Sequence, residues 1–212
     1  MSLEFLTTAG ALVASSPFEH DASEAGARFE ARDGWNVAVS YGDAEDEARA
    51  CRETVGWADV SHLGKIEVQG EGVGAGFGSA TRSDGAWLLP LTPSRLLITC
   101  PPAQLRSRLS SREGSLDVTS VFGALTIVGP CARDVFARFC AIDLRPQVMP
   151  IAALRPASVA RQPGIVVREA EDRFLWLFGA GVAHYVWSVV DDAARPYGGR
   201  PVGVDALESL DA

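Results

Sequence analysis

The chain has 212 residues, 47% of them apolar and 22% charged, with 21 glycines and 12 prolines. That balance excludes a disordered tail, a collagen-like repeat and a small disulfide scaffold. Nineteen basic against twenty-seven acidic residues leave a net charge of −8, so phosphate backbones are repelled and nucleic acid is not an expected partner.

In chain order, the stretch Leu6 to Ala14 is mildly apolar but lacks a basic flank and carries Glu4 before it, which makes a poor signal peptide. Asp43-Ala-Glu-Asp46 reads as a helix cap with acids in the first turn. Ala48, Cys51 and Val55 form the buried face of that helix, and Gly56 stops it. Ile66 and Val68 then alternate with Lys65, Glu67 and Gln69, the period of a half-buried strand. Glycines at 70, 72, 74, 76 and 78 predict a short, poor helix. Gly70-x-Gly72-x-x-Ala75 also meets the loose dinucleotide pattern, but no acid closes a following parallel strand. Ser94 to Cys100 reads as a strand followed by a helix. Leu125 to Val128 is more uniformly apolar, as suits a strand covered on both faces. Pro130 is placed to open a helix in which Val135, Phe136, Phe139 and Cys140 share a face. The apolar run from Phe174 to Val190 is interrupted by Gly179, Gly181 and His184, so strand, turn and helix explain it better than a membrane span. Its helical stripe is Val182, Tyr185, Val186, Val189 and Val190.

An internal repeat organises these elements. Asp59-Val-Ser-His-Leu-Gly-Lys-Ile-Glu-Val-Gln-Gly70 corresponds to Asp117-Val-Thr-Ser-Val-Phe-Gly-Ala-Leu-Thr-Ile-Val-Gly129. The glycine pair 64 and 70 becomes 123 and 129. Ser94 to Cys100 likewise corresponds to Asp172 to Phe178. The expectation is an α+β fold, residues 1–15 as an N-terminal arm and 16–212 as a single domain. Within it, two pseudo-repeats, about 59–112 and 117–195, share one antiparallel-rich sheet flanked by helices, with an N-terminal helix laid across it.

Chemistry-bearing motifs are sparse. Cys51, Cys100, Cys131 and Cys140 contain no C-x-x-C pair and His20, His62 and His184 no metal spacing, so no metal site is expected. Ser61 and His62 are adjacent in sequence, which does not bring hydroxyl and imidazole into reach of each other, and there is no G-x-S-x-G turn. No catalytic residue is assigned. A reducing, cytoplasmic setting and no membrane partner are the expectations.

The motif string then identifies a family by resemblance. Ser16-Pro-Phe-Glu-His20, Gly26-Ala-Arg-Phe29, Gly34-Trp35, Tyr41, Glu47 through Arg52, and Gly56-x-x-Asp59-Val-Ser-His62-x-Gly64 resemble the opening of the glycine-cleavage T-protein family, the folate-dependent aminomethyltransferases. Gly129-Pro130 and the segment Gly198 to Leu210 continue the similarity in order. The resemblance implies a duplicated folate-binding-type domain. It also implies three folate-facing positions: Leu63 as an apolar lining residue, Asp84 as the remnant of the family's reactive aspartate, and Glu171 as the match to the glutamate that reads the pterin.

The departures are as informative. The aspartate segment is cut down to Thr81 through Pro90. Leu207 stands where the family's Gly-Leu-Gly-Ala-Arg-Asp-Thr-Leu motif has its arginine. Neither the C-terminal barrel domain nor the Lys-Gly-Cys-Tyr-x-Gly-Gln motif of the tRNA-modifying branch has a counterpart. The pattern resembles the gamma subunit of heterotetrameric sarcosine oxidase, which implies a non-catalytic chain packed on a larger, flavin-containing oxidase subunit. No tightly bound cofactor is expected, and tetrahydrofolate is the ligand the resemblance leaves open. The alternatives are a free-standing tetrahydrofolate-dependent aminomethyl- or methyltransferase and a small-molecule sensor.

Overall fold

The computed structural model describes residues 13–211. Most of the arm expected at 1–15, and most of the apolar stretch Leu6–Ala14, lie outside the described residues. The chain opens with β1 (Ala14–Ser15), α1 (Glu19–Glu24), β2 (Arg28–Arg32), β3 (Trp35–Ser40) and α2 (Ala44–Glu53). A first run follows: β4 (Gly56–Asp59), β5 (Gly64–Gln69), β6 (Thr81–Ser83), β7 (Ala86–Thr92), β8 (Arg95–Cys100) and α3 (Pro102–Ser110). The second run is β9 (Ser115–Asp117), β10 (Phe122–Val128), α4 (Ala132–Ala137), β11 (Leu154–Val159), β12 (Gln162–Ala170), β13 (Arg173–Gly179) and α5 (Ala183–Ala194). β14 (Arg200–Pro201) and α6 (Val204–Asp211) end it.

The single shared sheet is corrected. Lys65–Gln69 lies in a five-stranded sheet of order β6-β7-β8-β5-β9, and Leu125–Val128 in a six-stranded sheet of order β11-β12-β13-β10-β4-β14. The two orders run in step, and the first strand of each run is traded to the other's sheet. β4 pairs antiparallel with β10, and β9 pairs antiparallel with β5. The trade is possible because Asp59-Val-Ser and Asp117-Val-Thr each turn the chain out of one sheet and into the next.

Alternation along the strands builds the layers. Leu125, Ile127, Phe174, Trp176 and Phe178 face outward from the six-stranded sheet into a core with Phe136, Val186 and Val190 of α4 and α5. Ala124, Val167, Leu175 and Leu177 face the other way, onto Trp87, Leu89 and Leu97 of the five-stranded sheet. Ile66, Val68, Leu96 and Ile98 pack outward against Leu105 and Leu109 of α3. The order is helix, sheet, sheet, helix, and the inter-sheet layer is closed at one edge by Ala48 and Cys51 of α2 with Ala206 and Leu207 of α6.

Local expectations fare unevenly. Asp43 caps α2 by accepting from the backbone N–H groups of Glu45 and Asp46 at 2.9 and 3.0 Å. That helix ends at Glu53, not at Gly56, because the backbone leaves the helical region at Thr54, with φ −135° and ψ −98°. Val55 therefore lies beyond the helix, and Gly56 opens β4 where a Cβ would meet Cys51 Sγ at 2.4 Å. The Gly70–Gly78 segment is a chain of turns rather than a poor helix. The backbone of Thr92 explains it: a Cβ on Gly74 would sit 1.7 Å from its carbonyl oxygen, so the segment is pressed onto the β7–β8 turn. Pro130 precedes α4 by two residues, since the Cys131 N–H is taken by the Thr54 carbonyl at 2.9 Å and helical bonding starts at Ala132. Phe139 and Cys140 fall after α4 ends. Tyr185 departs from the buried stripe of α5 and is 43% exposed.

Candidate functional site

The signature that carries the family resemblance forms a joint between the two sheets. Asp59 Oδ1 accepts from the Ser61 N–H at 2.8 Å, and Asp117 Oδ1 accepts from the Thr119 N–H at 2.9 Å. The hydroxyls then cross over. Ser61 Oγ accepts from the Ala124 N–H at 3.0 Å on β10, while Thr119 Oγ1 accepts from the Lys65 N–H at 3.0 Å on β5. The Val60 and Val118 N–H groups donate to the Ala124 and Lys65 carbonyls. Ser16 donates its hydroxyl to Asp59 and accepts from the Phe18 N–H, which ties the N-terminal segment to the joint. These residues are thus committed to holding backbone, and Ser61 has no nucleophile geometry toward His62.

Lys65, the only lysine of the chain, is buried at this joint and donates from Nζ to the Ser61 carbonyl at 2.6 Å. The alternation placed it correctly on the face opposite Ile66 and Val68, but that face is covered by the second sheet rather than by water. Burial pushes its ammonium down to about 8, against the opposing pull of the Asp59 and Asp117 carboxylates and Cys100. Burial likewise lowers half-buried His62, assisted by the Lys65 and Arg32 charges and opposed by Asp59 and Asp33. Below pH 8 the folded chain holds a buried ammonium, a penalty of about 3 kcal/mol relative to an exposed lysine. A depressed lysine means the unfolded chain binds more protons between about pH 8 and 10.5, so this contribution to stability rises with pH across that window. Urea denaturation of Lys65→Met beside the parent should show the difference between the two narrowing or reversing from pH 7.5 to 10. A pH-independent difference would refute the burial of a charged amine.

The three resemblance-derived positions are not brought together. Leu63 is half-buried and packs at the margin of the inter-sheet core. Asp84 is exposed at the tip of the β6–β7 hairpin with φ +49°, and its carbonyl accepts from Arg108 of α3 at 3.1 Å. Glu171 is exposed in the β12–β13 turn, where its carbonyl accepts from Arg168. A cavity of about 370 Å³ lies there against Cys51, Arg52, Pro130 and Leu210, and neither Leu63 nor Asp84 lines it.

The acid that does face inward is Glu169. Its Oε1 accepts from the Trp87 indole at 2.8 Å across the gap between the sheets, and its Oε2 lies 3.2 Å from Arg173 and 3.4 Å from the Thr126 hydroxyl. Leu207 is 5% exposed in the same inter-sheet core. Sequence reasoning missed Glu169, although the signal is plain alternation: the inward parity of Ile165 and Val167 carries on to Glu169, and the register shift between Arg168 and Ala170 ends it before Glu171. Among the described residues no group of three His, Cys, Asp or Glu could hold a metal, and no helix is long and apolar enough to cross a membrane.

The GCVT N-terminal domain family matches residues 18–84. The aminomethyltransferase of Streptomyces avermitilis is 26% identical over 211 residues, covering 84% of this chain and 56% of the relative. That of Mycobacterium tuberculosis is 28% identical over 227 residues, covering 92% and 61%. The chain is similar to these aminomethyltransferases along 84% and 92% of its length. This T-protein-like chain spans about three-fifths of the length of those curated relatives. Two solved structures share its fold. The glycine cleavage system aminomethyltransferase T of Bartonella henselae superposes with a TM-score of 0.76 at 18% identity, covering 93% of this chain and 62% of that one. A chain of the heterotetrameric sarcosine oxidase of Corynebacterium sp. U-96 gives 0.64 at 19%, covering 86% and 95%.

Proposed function

We propose that this T-protein-like chain is a non-catalytic accessory subunit that packs on a larger, flavin-containing oxidase subunit, in the manner of the heterotetrameric sarcosine oxidase whose chain it matches along nearly that chain's full length. The observation that carries the reading is the apolar lining between the sheets, where a cavity of about 280 Å³ is bounded by Leu91, Phe122, Ile165 and Leu177 and by no carboxylate. Leu63 and Leu207, the positions the resemblance assigns to the folate cleft and its arginine, both pack into an apolar core with Trp87, Leu89, Leu154 and Leu175. The inward carboxylate there, Glu169, is already engaged by Trp87 and Arg173. A pterin needs polar partners of fixed geometry, and each missing one costs about 1–3 kcal/mol. The residues present do not fit a reduced folate, and no catalytic step is assigned to this chain.

The second reading, a tetrahydrofolate-dependent aminomethyltransferase, is favoured by the names of curated relatives such as those of Streptomyces avermitilis and Mycobacterium tuberculosis. Purification of the tagged chain from its own host separates the two. The accessory reading expects a stoichiometric larger chain with flavin absorbance. A lone chain that transfers an aminomethyl group to tetrahydrofolate would overturn it.

A further inference from the structure

A cavity of about 470 Å³ opens on the helical side of the six-stranded sheet, away from the inter-sheet core, between the end of α4, the β11–β12 hairpin tip and α5. Arg138 and Arg161 line it together with Phe139, Tyr185 and Val189. In a chain of net charge −8, neither arginine has an ion-pair partner among the described residues. Asp192, which lines an adjoining groove with Arg138, lies 3.6 Å from Arg195, and Asp134 faces Arg133 at 3.9 Å.

The walls are fixed by backbone. Val159 pairs with Gln162, leaving Ala160 and Arg161 as a two-residue turn with φ +51° and +61°. A turn with positive φ at both positions ordinarily takes Asn-Gly. Here an alanine and an arginine are held in it by the Ala160 N–H bond to the Phe139 carbonyl at 2.7 Å and by the bridge between Cys140 and Val159. Such local strain persists where surrounding contacts over-determine it, and functional sites are where it gathers. Phe139 is itself stacked on Trp176 at 5.6 Å, so it cannot turn away. Tyr185, the residue that leaves the buried stripe of α5, supplies an exposed ring on the facing side.

We propose that this cavity binds a small aromatic carboxylate, its carboxylate taken by the Arg138 and Arg161 guanidinium groups and its ring set between Phe139 and Tyr185. Guanidinium forks match a carboxylate with two parallel N–H donors, and the aromatic walls select a flat body over a hydrated anion. The site goes beyond the accessory role and does not depend on it. Calorimetric titration of the full chain with benzoate tests it, with neutral benzamide as the isosteric control. Saturable benzoate binding near a Kd of about 1 mM is expected. Benzamide should bind at least about fivefold more weakly, Arg138→Gln and Arg161→Gln should each weaken benzoate about fivefold or more, and Asp192→Asn should not weaken it. Absence of saturable benzoate binding, equal binding of benzamide, or benzoate binding unaltered in both arginine variants would overturn the proposal.

Discussion

Gly203→Ala is expected to lose about 3–5 kcal/mol of folding stability. A Cβ at Gly203 would stand 1.9 Å from the Val39 carbonyl oxygen, 2.1 Å from its carbon and 2.3 Å from the Ser40 nitrogen. These are backbone atoms of β3 and cannot step aside as a side chain would. Moving them pulls on a second device. Glu47, fully buried in α2, accepts from the Gly203 N–H at 2.7 Å with one oxygen and from the Tyr41 N–H at 2.6 Å with the other. One carboxylate thereby joins α2, the end of β3 and the approach to α6. Glu47→Gln keeps the shape but turns an amide N–H₂ toward one of the two donors, so a loss of about 2–4 kcal/mol is expected from it as well. Urea midpoints of the two variants check both figures. A Gly203→Ala protein within about 1 kcal/mol of the parent would contradict the close approach of α6 to β3.

Leu207→Arg restores the residue that the T-protein motif carries at this position, and it should unfold the chain rather than repair it. Leu207 packs with Ala206 and α2 residues in the inter-sheet core, and a guanidinium placed there is a buried charge without a partner. A loss of about 3–5 kcal/mol follows, with no gain of tetrahydrofolate affinity. If the variant instead melts with the parent and acquires folate binding, the space beside Leu207 is an open cleft and the accessory reading falls.

The outcome for Lys65 shows what a sequence period can and cannot say. Alternation over residues 65–69 separates two faces correctly, but it reports the side on which a residue points, not what lies on that side. Here the second sheet lies there. The same limit hid the traded strands: equal glycine offsets at 64, 70 and 123, 129 identify corresponding strands, whereas hydrogen-bond partners across the joint are set by contacts far apart in the chain. Glu169 was missed for a different reason: it keeps the rhythm of Ile165 and Val167, but the family motif matches Glu171, which lies beyond the bulge between Arg168 and Ala170. Caps read well. Asp43 is followed by its own helix, and a cap needs only the next three residues to act. The turn before α4 depends on Thr54, distant in sequence, and so the helix opens two residues after Pro130.

The central claim, that the apolar interior between the sheets holds no reduced folate, is tested most directly by calorimetric titration of the purified chain with tetrahydrofolate, alongside Glu171→Ala. The account predicts no saturable heat from either protein. Micromolar binding by the parent that disappears in Glu171→Ala would contradict it, placing a working pterin site at the β12–β13 turn and promoting the transferase reading over the accessory subunit.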